Sequence, residues 1–181
     1  HVRSRRQRQM CIRDRLCVVA LLGVMATLPF LTQGRDRDRL QLDAAARRLL
    51  LGLERARSVA RREQMACGIA LNRDAWSSPE PEALPGGLPP CPGVSVALQE
   101  ALHQGPILLH SNLPAVVRVT ANGLLLDGGT PVLSHRRLDH SRCLVVSLPL
   151  GVSRIGRYQG GPPAEGQRLS SRRCLPDPQE A

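Results

Sequence analysis

The apolar run Leu16–Leu31, LCVVALLGVMATLPFL, constrains this chain more than any other stretch. Its sixteen residues carry no charge and are interrupted only by Pro29. A membrane-crossing helix needs about 20 mostly apolar residues, so the run is of marginal length. Residues 16–34 are read as a transmembrane part and hinge, the polar stretch Gly34-Arg35-Asp36-Arg37-Asp38 forming the bend. The competing reading is the apolar core of a cleaved secretory signal, although no Ala-x-Ala cleavage site follows the run. Either way the rest of the chain is expected to fold beyond a membrane.

The preface to the run is unusual. His1–Arg15 holds six arginines against one aspartate, +5 of a total net charge of +10. Gln9-Met10-Cys11-Ile12-Arg13-Asp14-Arg15 back-translates onto the transposon end used to tag DNA fragments for sequencing. Residues 1–15 are therefore read as foreign sequence or a leader remnant and set aside from fold reasoning. The alternative is a real basic leader, since Arg3, Arg5, Arg6 and Arg8 imitate a secretory n-region.

Behind the run the period changes twice. Across 35–66, Leu42, Ala45, Leu49, Leu53, Ala56 and Ala60 recur at three- and four-residue steps, widened by Ala46 and Leu50. That spacing predicts a helix with one buried face. Arg47, Arg48, Arg55, Arg61 and Arg62 fall mostly on the other side and are read as a solvated face. Gly52 costs helix stability without ending the helix. Residues 67–159 read as antiparallel sheet, in one layer or two. The candidate strands are Cys67–Asn72, Val94–Leu98, Ile107–His110, Val116–Thr120, Leu124–Leu126, Val132–Ser134 and Leu144–Leu148. Ser77–Pro92 reads as loop. Asn122-Gly123 and Asp127-Gly128-Gly129 read as hairpin turns, and 160–181 as an irregular tail. The fold class is thus α+β. Aromatics are only 2% of the chain, so the core must be aliphatic. All 25 basic residues are arginine, and outside the preface the balance is mildly basic, which alone is no argument for nucleic acid.

A hydrophobic N-terminal helix running into an amphipathic one, followed by antiparallel sheet, resembles a type IV pilin-like protein. LCVVALLGVMATLP resembles the hydrophobic half of the pilin helix. Ala56-Arg57-Ser58-Val59-Ala60-Arg61-Arg62 resembles the ARSxAxR helix end of the GspH/FimT pseudopilins. Ala121-Asn122-Gly123 resembles that family's glycine turn. Leu150-Gly151-Val152-Ser153-Arg154-Ile155-Gly156-Arg157 resembles its C-terminal strand. One departure is the processing site: Arg15 stands where prepilins carry a glutamate.

The resemblance implies a minor pseudopilin, a structural component of a type II secretion or type IV pilus assembly. It implies a single-pass protein of the bacterial inner membrane with its C-terminal domain in the periplasm. Its partners would be other pseudopilins or pilins in a fibre, and prepilin peptidase for the native precursor. Two alternatives stay open: a pilus-tip adaptor binding DNA for uptake, and a secreted disulfide domain behind a cleaved signal. In some members of the resembled family DNA contacts come from C-terminal basic residues. Arg154 and Arg157 are the candidates for DNA or anion contact, with Arg136 and Arg137 able to extend the surface. The bland reading of the same residues is a solvated face.

Cys67, Cys91, Cys143 and Cys174 form an even set that permits three pairings. Sequence order suggests Cys67–Cys91 and Cys143–Cys174. Cys17 reads as a small buried thiol in the run. His135, Asp139 and His140 lie close in sequence, but a solvated hairpin loop explains them better than a metal. Gly93-Val94-Ser95-Val96-Ala97 is one residue short of a nucleophile elbow and lacks the strand-to-helix context. No cofactor, metal site or enzymatic activity is read from the chain.

Overall fold

The computed structural model describes residues 2–80, 82, 84–99, 106–148, 151–164 and 166–177. Ahead of residue 34 it describes the side chains of 15, 17–19 and 23 alone, so most of the apolar run lies outside the described side chains. The chain divides into two compact units, His1–Arg37 and Asp38–Ala181. Helix α1 spans Val2–Glu63, and the polar stretch read as a hinge is itself helical. In the first unit Cys17 is free and exposed, contrary to the buried thiol expected there. Among the described residues no helix is long and apolar enough to cross a membrane.

The second unit is α+β with two antiparallel sheets. The predicted stripe is the buried one: Leu42, Ala45, Ala46, Leu49, Leu53, Ala56 and Ala60 are each at most 4% exposed. Gln64 closes the helix in the left-handed region, with φ 53°. The Met65 amide then bonds back to the Ala60 carbonyl at 3.1 Å, satisfying one end carbonyl.

The strands are β1 (Cys67–Leu71), β2 (Ala75–Ser77), β3 (Val96–Ala97), β4 (Ile107–His110), β5 (Val116–Val119), β6 (Val132–His135), β7 (Ser141–Ser147), β8 (Val152–Tyr158) and β9 (Cys174–Pro176). The first sheet runs β3-β2-β1-β5 and the second β4-β6-β7-β8-β9. Three readings are corrected. Leu124–Leu126 makes only an isolated bridge, Val119 to Leu125, and not a strand. Asp127-Gly128-Gly129 is no hairpin turn but the crossover between sheets, with Gly129 bridging Val146. Its glycines serve close approach, since a Cβ at Gly128 would lie 2.9 Å from the Val146 carbonyl oxygen. The tail is not wholly irregular: β9 pairs with Gly156–Tyr158 of β8.

The main core lies against α1 and draws on both sheets through Ile69, Trp76, Val117, Val119, Leu133, Leu144 and Val146. Trp76, the only tryptophan, lies outside the candidate strands and is fully buried in β2. Its indole N–H donates to the Leu49 carbonyl of α1 at 2.8 Å. The ring occupies the space above Gly52, where a Cβ would fall 2.0 Å from Trp76 Cδ1.

A second, smaller core covers the opposite face of the second sheet. Val132, Cys143, Val145 and Tyr158 pack there with Cys174 and Leu169 of the tail. Both disulfides suggested by sequence order are present: Cys67–Cys91 and Cys143–Cys174. The second spans across β8, because Cys143 lies opposite Gly156. A Cβ at Gly156 would meet Cys174 Sγ at 3.2 Å and the Leu175 carbonyl oxygen at 2.2 Å.

Two outcomes follow. At an ordinary exposed helix site, Gly→Ala gains about 1 kcal/mol from propensity. Gly52→Ala should instead lose about 1–3 kcal/mol through overpacking against Trp76, read as a lower urea midpoint; a stabilised variant would refute this packing. The Cys143→Ser/Cys174→Ser double variant should lose about 2–4 kcal/mol. Proteolysis should then cut first within 160–177.

Candidate functional site

Arg154 and Arg157, the two arginines first singled out by the sequence, do not share one face of the sheet. In β8 successive side chains alternate between faces, so Arg154 and Arg157, three residues apart, point to opposite sides of the sheet. Arg154 shares the tail-covered face with Tyr158, and its Nη2 donates to the Cys174 carbonyl at 3.2 Å. Arg157 lies on the other face, opposite Arg142 of β7. Both are exposed. Arg136 and Arg137 occupy the β6–β7 turn and are also exposed.

Around that turn the charges largely answer one another. Arg142 Nε donates to Asp43 of α1 at 2.6 Å, and its Nη1 donates to Asp177 of the tail. One guanidinium therefore joins helix, sheet and tail. Arg137 Nη1 stands 3.8 Å from Asp38 Oδ2. His140 has its pKa lowered, first by burial and then by Arg157, Arg39 and Arg142, which surround it, against the pull of Asp43. Arg39, Arg136 and Arg157 remain as outward charges here, with exposed Asp139 among them.

His135 corrects the solvated-loop reading. It ends β6 with 1% exposure, facing the interior. Its Nδ1 accepts the Arg137 amide hydrogen at 3.2 Å, which leaves the proton on Nε2 in the neutral ring. Nε2 has no hydrogen-bond partner and stands 3.6 Å from Asp38 Oδ1. Burial lowers the His135 pKa more than Asp38 raises it, and Arg137 adds to the lowering. His135, Asp139 and His140 do not converge. Among the described residues no group of three or more histidine, cysteine or acidic side chains could hold a metal ion. Ser95 leads into the two-residue strand β3 rather than a helix, so no nucleophile elbow forms.

The sequence points to Arg57 only as part of the helix end Ala56–Arg62, not as a site residue. Arg57, in the helix end Ala56–Arg62, donates from Nε to the Gly123 carbonyl at 2.9 Å. From Nη1 it reaches the Gly151 carbonyl at 3.1 Å and Glu54 at 3.0 Å. Both glycines have positive φ, 76° and 64°. A Cβ at Gly123 would also press on Arg61 Cγ at 2.8 Å and the Arg57 carbonyl oxygen at 3.1 Å. The end of α1 is thus tied to two turns, one just after β5 at the edge of the first sheet and one between β7 and β8 of the second. A second tie is Arg118–Asp127, made through two side-chain bonds of 2.9 and 2.8 Å. The Asp127 carboxylate also accepts the Arg118 amide. The guanidinium holds the Asp127 pKa below the usual carboxylate range. Leu150, within the stretch that resembles a family strand, lies outside the described residues.

Comparison with protein-family models, with curated proteins and with solved structures finds no match.

The histidine carries a testable pH dependence. With its folded pKa below about 6.5, the unfolded chain binds more protons between the two values, so stability falls as pH drops below about 6.5. Urea midpoints should decline from about pH 7.5 to about pH 5.5, and His135→Leu should flatten much of that slope. His140, shifted in the same direction, supplies a remainder. The Asp127 contribution persists through this window, because a lowered carboxylate pKa loses its stabilisation only at more acidic pH. An unchanged slope in the variant would show that His135 is not the titrating group.

Proposed function

We propose that the chain is a minor pseudopilin of the GspH/FimT kind, a structural component of a secretion or pilus assembly. The observation that carries this reading is the Arg57 tie. The arginine of the ARSxAxR-like helix end bonds to Gly123 and Gly151, both within the segments that resemble the family's later motifs. Three pieces of sequence resemblance are thereby joined in space by one side chain. The long α1, its buried stripe under antiparallel sheet, and two disulfides suited to an oxidising compartment support the same reading.

In this reading Leu16–Leu31 enters the bacterial inner membrane and the second unit stands in the periplasm. The mechanism is packing: apolar helices bundle in a short fibre, and the sheet domain displays surface. Prepilin peptidase would act on the native precursor. The DNA adaptor receives no comparable support, since Arg154 and Arg157 face opposite sides and Arg142 is spoken for by Asp43 and Asp177.

N-terminal sequencing of the native product is the test. A methylated N-terminus immediately before the apolar run is the expected result. Cleavage after the run, releasing the second unit, would replace this reading with a secreted disulfide domain.

A further inference from the structure

The solvent side of α1 is as regular as its buried side. Leu40, Ala44, Arg47, Leu51, Arg55, Ser58 and Arg62 follow at steps of four, three, four, four, three and four residues, one continuous helical stripe. All but half-buried Ala44 are exposed, with Leu40 at 68% and Leu51 at 56%. Leu51 sits one turn from Arg47 on one side and one turn from Arg55 on the other. No carboxylate pairs with Arg47 or Arg55 among the described residues, in contrast to Arg57 with Glu54 and Arg62 with Glu63. An isolated exposed leucine needs no explanation. A leucine framed by two unanswered arginines on one helix line presents an apolar centre with a charged margin.

We infer that this stripe is a docking face for an acidic amphipathic helix of a different protein. The commitment to that occupant rests on charge and spacing. A second copy laid on this face sets Arg47 and Arg55 against each other in either direction, and like charges at close quarters repel. Arg47 and Arg55 are eight residues apart, about 12 Å along the axis at the helical rise. Carboxylates eight residues apart on a partner helix match that interval, and an apolar residue midway between them meets Leu51. A Glu-x-x-x-Leu-x-x-x-Glu line is therefore complementary at all three points. Phosphates of nucleic acid would answer the arginines but leave Leu51 and Leu40 without apolar cover. The face belongs wholly to the second unit, so the inference stands apart from the pseudopilin reading and from any role for the apolar run.

The test uses the chain of residues 1–181 in a non-ionic detergent and a fluorescent helical peptide built from Glu-x-x-x-Leu-x-x-x-Glu repeats. The expected result is binding of this peptide by anisotropy and none of a peptide with lysine for glutamate. Arg47→Glu/Arg55→Glu should weaken binding about tenfold or more, the combined loss of two exposed ion pairs and the new repulsion. Leu51→Ser should weaken it separately. Arg47→Lys/Arg55→Lys should restore most of it, which guards against misfolding as the cause. The exposed pair Arg168→Glu/Arg172→Glu should leave it unchanged. No binding, indifference to Leu51→Ser, or equal weakening by the Arg168/Arg172 pair would overturn the inference. So would a short DNA duplex that displaces the peptide and depends on Arg47 and Arg55. Self-association in sedimentation velocity, abolished by Arg47→Glu/Arg55→Glu, would assign the face to a second copy instead.

Discussion

The packing of α1 on the sheets is the contact on which the second unit depends. The hydrophobic side chains that the helix buries fully in it are all leucine or alanine, residues that leave a smooth face. A smooth face can be approached closely, and Gly52 takes this furthest by admitting the Trp76 ring to within contact of the helix backbone. That one insertion does two things. Among the described residues it gives the main core its one aromatic side chain, and it anchors the short strand β2 through the indole bond to Leu49. β2 has three residues and its neighbour β3 has two, too few to hold a sheet edge by ladder bonds alone. The helix therefore stabilises the edge of the first sheet as well as its centre.

The second sheet has the opposite problem, since α1 covers one face and the other would be left wet. The tail answers it. Leu169 and Cys174 close over Val132, Val145 and Tyr158, and Arg173 stacks 5.3 Å from the Tyr158 ring centroid. Gly156 makes this closure possible. With no side chain at that point, the disulfide from Cys143 can pass over β8 and β9 can lie close beside it. The glycine that a sequence reader takes for a family signature thus has a local steric reason.

What was legible in the sequence was periodic or chemically unambiguous. The buried stripe of α1 follows from spacing alone, and Ile107–His110 is recovered to the residue because an apolar run stands between turn signals. What was missed depends on distant partners. Nothing in Ala75-Trp76-Ser77 announces a strand until α1 provides a notch for the indole. Cys174-Leu175-Pro176 has no strand period, and becomes one because β8 offers an unpaired edge. Asp127-Gly128-Gly129 has the composition of a tight turn, yet its glycines are there for close approach to the Val146 carbonyl and the Leu113 side chain. His135 was assigned to a loop since its neighbours are polar; its burial is set by Asp38 and α1, far away in sequence. The roles of the arginines were the least legible, because the residue type is the same whether it is a tie or a surface charge.

That last point decides how the strong positive charge should be understood. Arg57, Arg118, Arg142 and Arg154 all donate to carbonyls or carboxylates that lie far along the chain, between 9 and 99 residues away. A guanidinium suits such work, because its planar fork can satisfy several acceptors from one side chain. In a lysine-free chain the same residue must also provide the ordinary solvated charges. A count of basic residues therefore overstates the surface available to any polyanion. Once the internal ties are set aside, the exposed arginines of the second unit are dispersed, with Arg73 in the β1–β2 turn and others around the β6–β7 turn, along the tail and on the outer line of α1. Only on the helix do unanswered charges recur at a fixed interval with an apolar residue between them. Order of that kind, more than the sum of charge, is what distinguishes a recognition surface from a soluble one.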